Sequence, residues 1–304
     1  MRITPVKDIA IGLVLLALTS MQASAQVIYS DGFEAYTSGG SPLDANTAGP
    51  NAGPNGGPGN PWFGPAPPNL RVVGNGGGLS SGAAPTHSGL NMVTASAASD
   101  FDQEWLNIAS RFNGGNPYLG NVGLDWFFYD PTGAGNSNYR DYGALAFYNS
   151  ANGTGGLDYP AASGGNLNPG GVVQRLSLGA SNPTGFDNTK YQARIVGATD
   201  GTASGTWFNV GSRSIGWHEA AIVLGAANGA ATTVSFFIDG ADVLDHAIQT
   251  ASGVNVIELN DGFGTTVGNY DDVTLSTVPE PAAVSLLFCG ALSWLGLQRR
   301  KRNR

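Results

Sequence analysis

From Gln26 to Thr277 the chain is written in short segments of alternating apolar and polar residues, divided by glycine-rich turn clusters. Strand candidates are Val72-Val73, Leu90 to Ala95, Trp105 to Phe112, Val122 to Tyr129, Ala144 to Tyr148, Val172 to Leu178 and Tyr191 to Val196. Thr206 to Val210, Gly216 to Leu224, Thr233 to Ile238, Val243 to Ile248, Val254 to Leu259 and Tyr270 to Leu275 follow. In Thr233 to Ile238 the side chains of Val234, Phe236 and Ile238 share one face, as a strand half-buried in a core requires. Asn113-Gly114-Gly115 and Asp239-Gly240 supply turns between such segments. No window between Gln26 and Thr277 carries a helical period, and no repeat of fixed length appears. Many short strands at this spacing predict one all-β domain, a two-sheet antiparallel sandwich of the jelly-roll type, over 26–277.

The stretch Ser38 to Asn69 interrupts that pattern. It is rich in Gly, Pro, Asn and Ala and cannot form an element interior, so it predicts a long loop near 38–69. Trp62 and Phe63 near its end are expected to pin it to the domain. Cys289, the only cysteine, lies outside 26–277, so the sandwich must be held by its core without disulfides.

Charge narrows the partners. The chain has 22 acidic and 14 basic residues. Setting aside Arg2, Lys7 and Asp8 at the front, and Glu280, Arg299, Arg300, Lys301, Arg302 and Arg304 at the back, leaves 20 acids and 7 bases, a net of −13. Such a surface repels phosphate backbones and excludes nucleic acid as the expected partner.

The two ends read as addresses. Arg2 and Lys7, the apolar run Ile9 to Leu18, and the small residues Ala23 and Ala25 make a signal peptide over 1–25, cleaved after Ala25. At the other end Val278 leads into Pro279-Glu280-Pro281, the apolar run Ala282 to Leu297, and a basic cluster that begins at Arg299 and Arg300. That order resembles a PEP-CTERM sorting signal over 278–304. The resemblance implies export to the surface or matrix of a Gram-negative, exopolysaccharide-producing bacterium. It also implies passage through the inner membrane by a C-terminal transmembrane helix, and recognition by an exosortase-type transpeptidase.

The middle is similar to concanavalin A-like and laminin-G-like jelly rolls. The matching pieces are Asp31-Gly32-Phe33-Glu34, His87-Ser88-Gly89, Gly216-Trp217-His218-Glu219, Phe237-Ile238-Asp239-Gly240 and Tyr270-Asp271-Asp272-Val273. In similar carbohydrate-binding modules an N-terminal glutamate and an aspartate of the last strand hold a structural calcium. The resemblance therefore implies Ca2+ at Glu34 with Asp271 or Asp272. Only one of those two aspartates is expected to serve, since strand neighbours point to opposite faces. The same carboxylates could equally sit at a wet sheet edge or cap a turn.

Catalytic signatures are sparse. Glycoside hydrolysis needs two carboxylates ~5–9.5 Å apart, and Glu34, Glu104, Glu219 and Glu258 form no such pair in sequence. His218 and Glu219 are adjacent and should face opposite ways. His87, His218 and His246 lack metal-ligand spacing, and Ser88 lies in no nucleophile-elbow frame. The expectation is a non-enzymatic surface or matrix protein, calcium-stabilised and at most weakly polysaccharide-binding; the alternatives are a secreted polysaccharide-active enzyme, a hydrolase or lyase, on the same fold, and a purely architectural domain without a ligand.

Overall fold

The computed structural model describes residues 25–36, 41–43, 62–63, 70–74, 85–95, 102–135, 141–148, 172–180, 186–197, 205–227, 231–249, 253–261 and 268–278. Val27–Thr277 cluster as one compact unit. Most of the expected signal peptide, including Ala23, lies outside the described residues. So does the tail from Pro279 onward, with Glu280, Pro281, Arg299, Arg300 and the expected membrane helix.

Alternation becomes two antiparallel sheets. The first holds β1 (Val27–Asp31), β2 (Ser41–Pro42), β4 (Arg71–Gly74), β5 (Asn91–Thr94), β7 (Val122–Asp130), β12 (Gly216–Leu224), β13 (Ala231–Ile238), β14 (Ala241–Gln249) and β16 (Asn269–Thr277). The second holds β3 (Trp62–Phe63), β6 (Asp102–Asn107), β8 (Asp141–Tyr148), β9 (Val172–Ala180), β10 (Lys190–Val196), β11 (Thr206–Ser212) and β15 (Val256–Asp261). The chain crosses between them repeatedly, at β6 to β7, β7 to β8, β11 to β12, β14 to β15 and β15 to β16, which is a jelly-roll sandwich.

Within the first sheet the last strand pairs with β7 along one edge. Its other edge is shared by β5 at its start and β1 at its end. Asp239 and Gly240 both take positive φ, 51° and 72°, and close the β13–β14 hairpin in two residues. That is the turn which an Asp-Gly pair between alternating strands favours.

The inner faces meet in one core. Leu124, Trp126 and Phe128 of β7, Ile222 of β12 and Phe236 of β13 belong to the same buried cluster as Leu145, Leu176, Ile257 and Leu259. Each such side chain contributes roughly 1.5–3 kcal/mol by leaving water. Gly143 makes the largest of them fit, for any Cβ there would overlap the Trp126 indole. At one end Arg213 forks onto Asp130, Nε to Oδ2 at 2.9 Å and Nη2 to Oδ1 at 3.0 Å, both side chains buried.

One expected strand is shortened. Trp105 to Phe112 does not run straight: β6 ends at Asn107, and α1 (Ile108–Phe112) follows. Asn107 caps it by accepting the Ser110 N–H at 2.9 Å, and the Ile108 and Ala109 N–H groups turn onto the Asn255 carbonyl. An asparagine in a strand-like run was the available signal for this break. Trp62 itself is anchored to the domain: it is fully buried, pairs in register with Leu106, and donates from Nε1 to Asp31 at 3.0 Å.

Candidate functional site

The three carboxylates expected to hold calcium converge on one short segment, 87–91. Pairing of β1 with β16 places Glu34, just past β1, beside the end of the sheet where Asp271 and Asp272 lie. Glu34 Oε1 accepts the N–H groups of Leu90 at 2.8 Å and Asn91 at 2.9 Å. Asp271 Oδ2 accepts those of His87 and Ser88 at 3.0 and 3.1 Å. Asp272 receives the Ser88 hydroxyl at 2.8 Å, and its Oδ2 lies 2.7 Å from His87 Nδ1.

Asp271 and Asp272 do not point to opposite faces as strand alternation would have it. Asp272 adopts φ 48°, the β16–β7 register shifts between Asp271 and Thr274, and both carboxylates reach the same loop. Among the described residues no group of three His, Cys, Asp or Glu side chains is arranged to hold a metal ion. The oxygens of Glu34 and Asp271 that face this segment are taken up by backbone N–H groups, which cannot ligate calcium. Burial raises the Asp271 carboxyl to about 7, against the N–H of Ser88 and with the Asp272 charge adding to it.

Next to this clamp, on the outward face of the first sheet, His87 stacks on Phe127 with ring centroids 3.6 Å apart, and Trp217 packs edge-on against His87 and Tyr129. Asp125 stands two residues along from Phe127, raised to about 6 by burial and by the Glu219 charge. His218 is buried on the other side of β12, its Nδ1 2.8 Å from Asp239 Oδ2, so it and Glu219 share no cleft.

The outward face of the second sheet carries a cluster that the sequence reading missed. In β15, Ile257 and Leu259 enter the core while Val256, Glu258 and Asn260 face away; in β9, Leu176 and Leu178 enter while Arg175 and Ser177 face away. The register then aligns Trp105, Glu258, Ala144, Ser177, Arg194 and Trp207 side by side across β6, β15, β8, β9, β10 and β11. Five steps of ~4.8 Å make that row about 24 Å long.

Tryptophans end the row and small residues occupy its middle. Ala144 and Ala146 of β8 let Arg175 reach over the strand, placing its Nε 2.7 Å from Glu258 Oε2, with both side chains fully buried. Arg175 Nη1 and Nη2, Glu258 Oε1 and Asn260 Oδ1 are buried and find no hydrogen-bond partner among the described residues. The Arg194 guanidinium lies over the Trp207 ring, 4.6 Å from its centroid, and burial followed by the Arg175 charge pushes it down to about 10. Leaving buried polar groups unpaired costs of order 1–3 kcal/mol each, more when charged, so such a set is unusual unless something else supplies the partners. In sequence these residues read as the solvent side of ordinary strands; only the register gathers them.

No protein family and no curated protein matches the chain. Among solved structures, a carbohydrate esterase from Shiga toxin-encoding bacteriophage phi24B is 12% identical over 84% of this chain and 100% of its own, with a TM-score of 0.46. A Bacillus licheniformis β-glucanase is 14% identical over 84% and 99%, TM-score 0.39. The lumenal domain of VIP36, in a Ca2+- and Man2-bound form, is 11% identical over 71% and 82%, TM-score 0.40. At these scores neither their substrates nor their metal carries over to this chain.

Proposed function

We propose that this chain is an exported surface or matrix protein, delivered through its Pro279-Glu280-Pro281 tail by an exosortase-type transpeptidase, whose sandwich binds polysaccharide without cleaving it. The observation that supports binding is the accessible end of the row on the second sheet, where the half-buried Trp207 lies 6.2 Å from the exposed Phe186 ring and carries the Arg194 guanidinium 4.6 Å over its face. Sugars present apolar ring faces to aromatic side chains and hydroxyls that both donate and accept, so this is a chemically matched set.

Hydrolysis requires two carboxylates placed for acid and base work. Glu258 is the one carboxylate among the described residues of this row, and Arg175 already holds it as an ion pair. Binding without turnover is therefore the reading the geometry favours. A glycan array probed with the full chain should give polysaccharide hits, and Trp207→Ala should weaken them about tenfold or more, as loss of an aromatic anchor does. Release of reducing ends or unsaturated products from any bound glycan would replace this reading with an enzymatic one.

Calcium at Glu34, Asp271 and Asp272 would play a structural part. It would have to displace the N–H donors of His87, Ser88, Leu90 and Asn91. The expected melting temperature is accordingly unchanged by a chelator. A fall of several degrees that Glu34→Gln abolishes would assign an ion to these carboxylates.

A further inference from the structure

We propose that Ser214, His218 and Asp239 form a nucleophilic site that hydrolyses carboxylic esters; it shares no residue with the surface that supports polysaccharide binding. His218 Nδ1 lies 2.8 Å from Asp239 Oδ2, and Nε2 of the same ring lies 3.2 Å from the Ser214 hydroxyl. A carboxylate only accepts, so Nδ1 carries the proton of the neutral ring and Nε2 keeps a lone pair. The Ser214 carbonyl, 2.9 Å from Nε2, has no hydrogen to offer that lone pair, whereas the hydroxyl has one. Once the hydroxyl proton passes to Nε2, the new N–H finds the same carbonyl in place as its acceptor. The two partners thus match the two charge states through which a general base passes.

Two turns and a strand bring these groups together, and each group is held. Asp239 closes the β13–β14 hairpin, and its Oδ1 accepts the Glu219 N–H at 3.0 Å, which leaves Oδ2 for His218. The His218 ring is only 7% exposed and packs near Phe128 and Tyr191, with centroids 5.8 and 5.4 Å away. Ser214 follows Arg213, whose fork on Asp130 fixes the start of the β11–β12 turn, and the Tyr191 hydroxyl donates to the Ser214 carbonyl at 3.3 Å. A rigid support of this kind is what a positioned nucleophile requires. Ser214 itself is exposed, so an incoming acyl group reaches the hydroxyl while the base behind it stays out of water.

Ser214 Oγ attacks the acyl carbon of the ester as its proton passes to His218 Nε2. The bond from that carbon to the alcohol oxygen then breaks, and the departing oxygen takes the proton from Nε2. Water repeats the sequence on the acyl-serine: its proton goes to Nε2, its oxygen joins the acyl carbon, the carboxylic acid leaves, and Ser214 Oγ regains its proton. Ile215, next in the chain and 67% exposed, gives a short acyl chain an apolar neighbour. A hydroxyl on an exposed turn suits esters carried on the outside of a larger molecule, of which O-acyl groups on a polysaccharide are one class. Their removal leaves every glycosidic bond intact.

The test uses the full chain with two probes: a fluorophosphonate, whose adduct is located by mass spectrometry, and p-nitrophenyl acetate, whose hydrolysis is followed by absorbance. The expected result is an adduct on Ser214 and a burst of p-nitrophenolate followed by steady release. Ser214→Ala, a change at an exposed side chain that the fold tolerates, should remove both. His218→Gln should slow both about a hundredfold or more, as loss of a general base does. Asp239→Asn should slow them about tenfold or more, since the amide no longer fixes the ring's tautomer. Ester release by the wild type no faster than by Ser214→Ala overturns the site, and so does an adduct found only at other residues. A His218→Gln chain that fails to fold leaves the decision to Ser214→Ala. Neither readout involves a glycan, so failure here leaves the polysaccharide-binding reading standing, and failure on the glycan array leaves this site standing.

Discussion

At the scale of single residues, the most consequential side chain of the first sheet is Asp271. Its carboxylate holds the 87–88 backbone from a fully buried position. Because burial lifts it from 3.8 to about 7, the folded protein takes up its proton more readily than the unfolded chain does. Stability from this group is thus complete near pH 4 and is lost as the pH climbs through the interval to about 7. Asp125, raised to about 6, acts in the same direction over a narrower interval. Thermal melts at pH 4.5, 6 and 8 should show a falling melting temperature, and Asp271→Asn should flatten that slope even where it lowers stability overall. A slope unchanged in the variant would assign the effect to general repulsion within an acidic chain. The position of Glu34 near Asp271 was legible in the sequence, since it needed only the pairing of first and last strands. The aim of Asp272 was not, because a left-handed residue inside a strand leaves no mark in the alternation.

At the scale of elements, alternation identified nearly every strand, and one glycine shows what it omits. Gly143 sits on the inner face of β8, between Leu259 and Leu178 in the register, just ahead of the Ala144 to Tyr148 segment that the sequence marks as strand. In space it is the room into which Trp126 fits from the opposite sheet. Gly143→Ala should cost about 1–3 kcal/mol, the range for overpacking a filled core, and appear as a lowered midpoint in urea unfolding with an unchanged slope. The ionic row on the second sheet was illegible for a related reason. Arg175, Ser177, Glu258 and Asn260 alternate correctly with leucines and isoleucines, as solvent-facing residues do. That they are buried and mutually aligned follows from which strands are neighbours, and single-strand patterns contain no such information.

At the scale of the whole molecule, the order of strands decides how a force on the C-terminal end of the sandwich would be carried. β16 is the final strand, and it is gripped on both edges, by β7 on one and by β5 and β1 on the other. Its last residue, Thr277, leads straight into Val278 and the Pro279-Glu280-Pro281 segment. Any tension applied through the residues that follow therefore enters the domain along the axis of β16. Ladder hydrogen bonds lie across that axis, so the pull loads them in shear, many at once, instead of peeling them apart singly. Pulling on the C-terminal end should therefore demand more force than pulling the same strands apart from their ends one bond at a time.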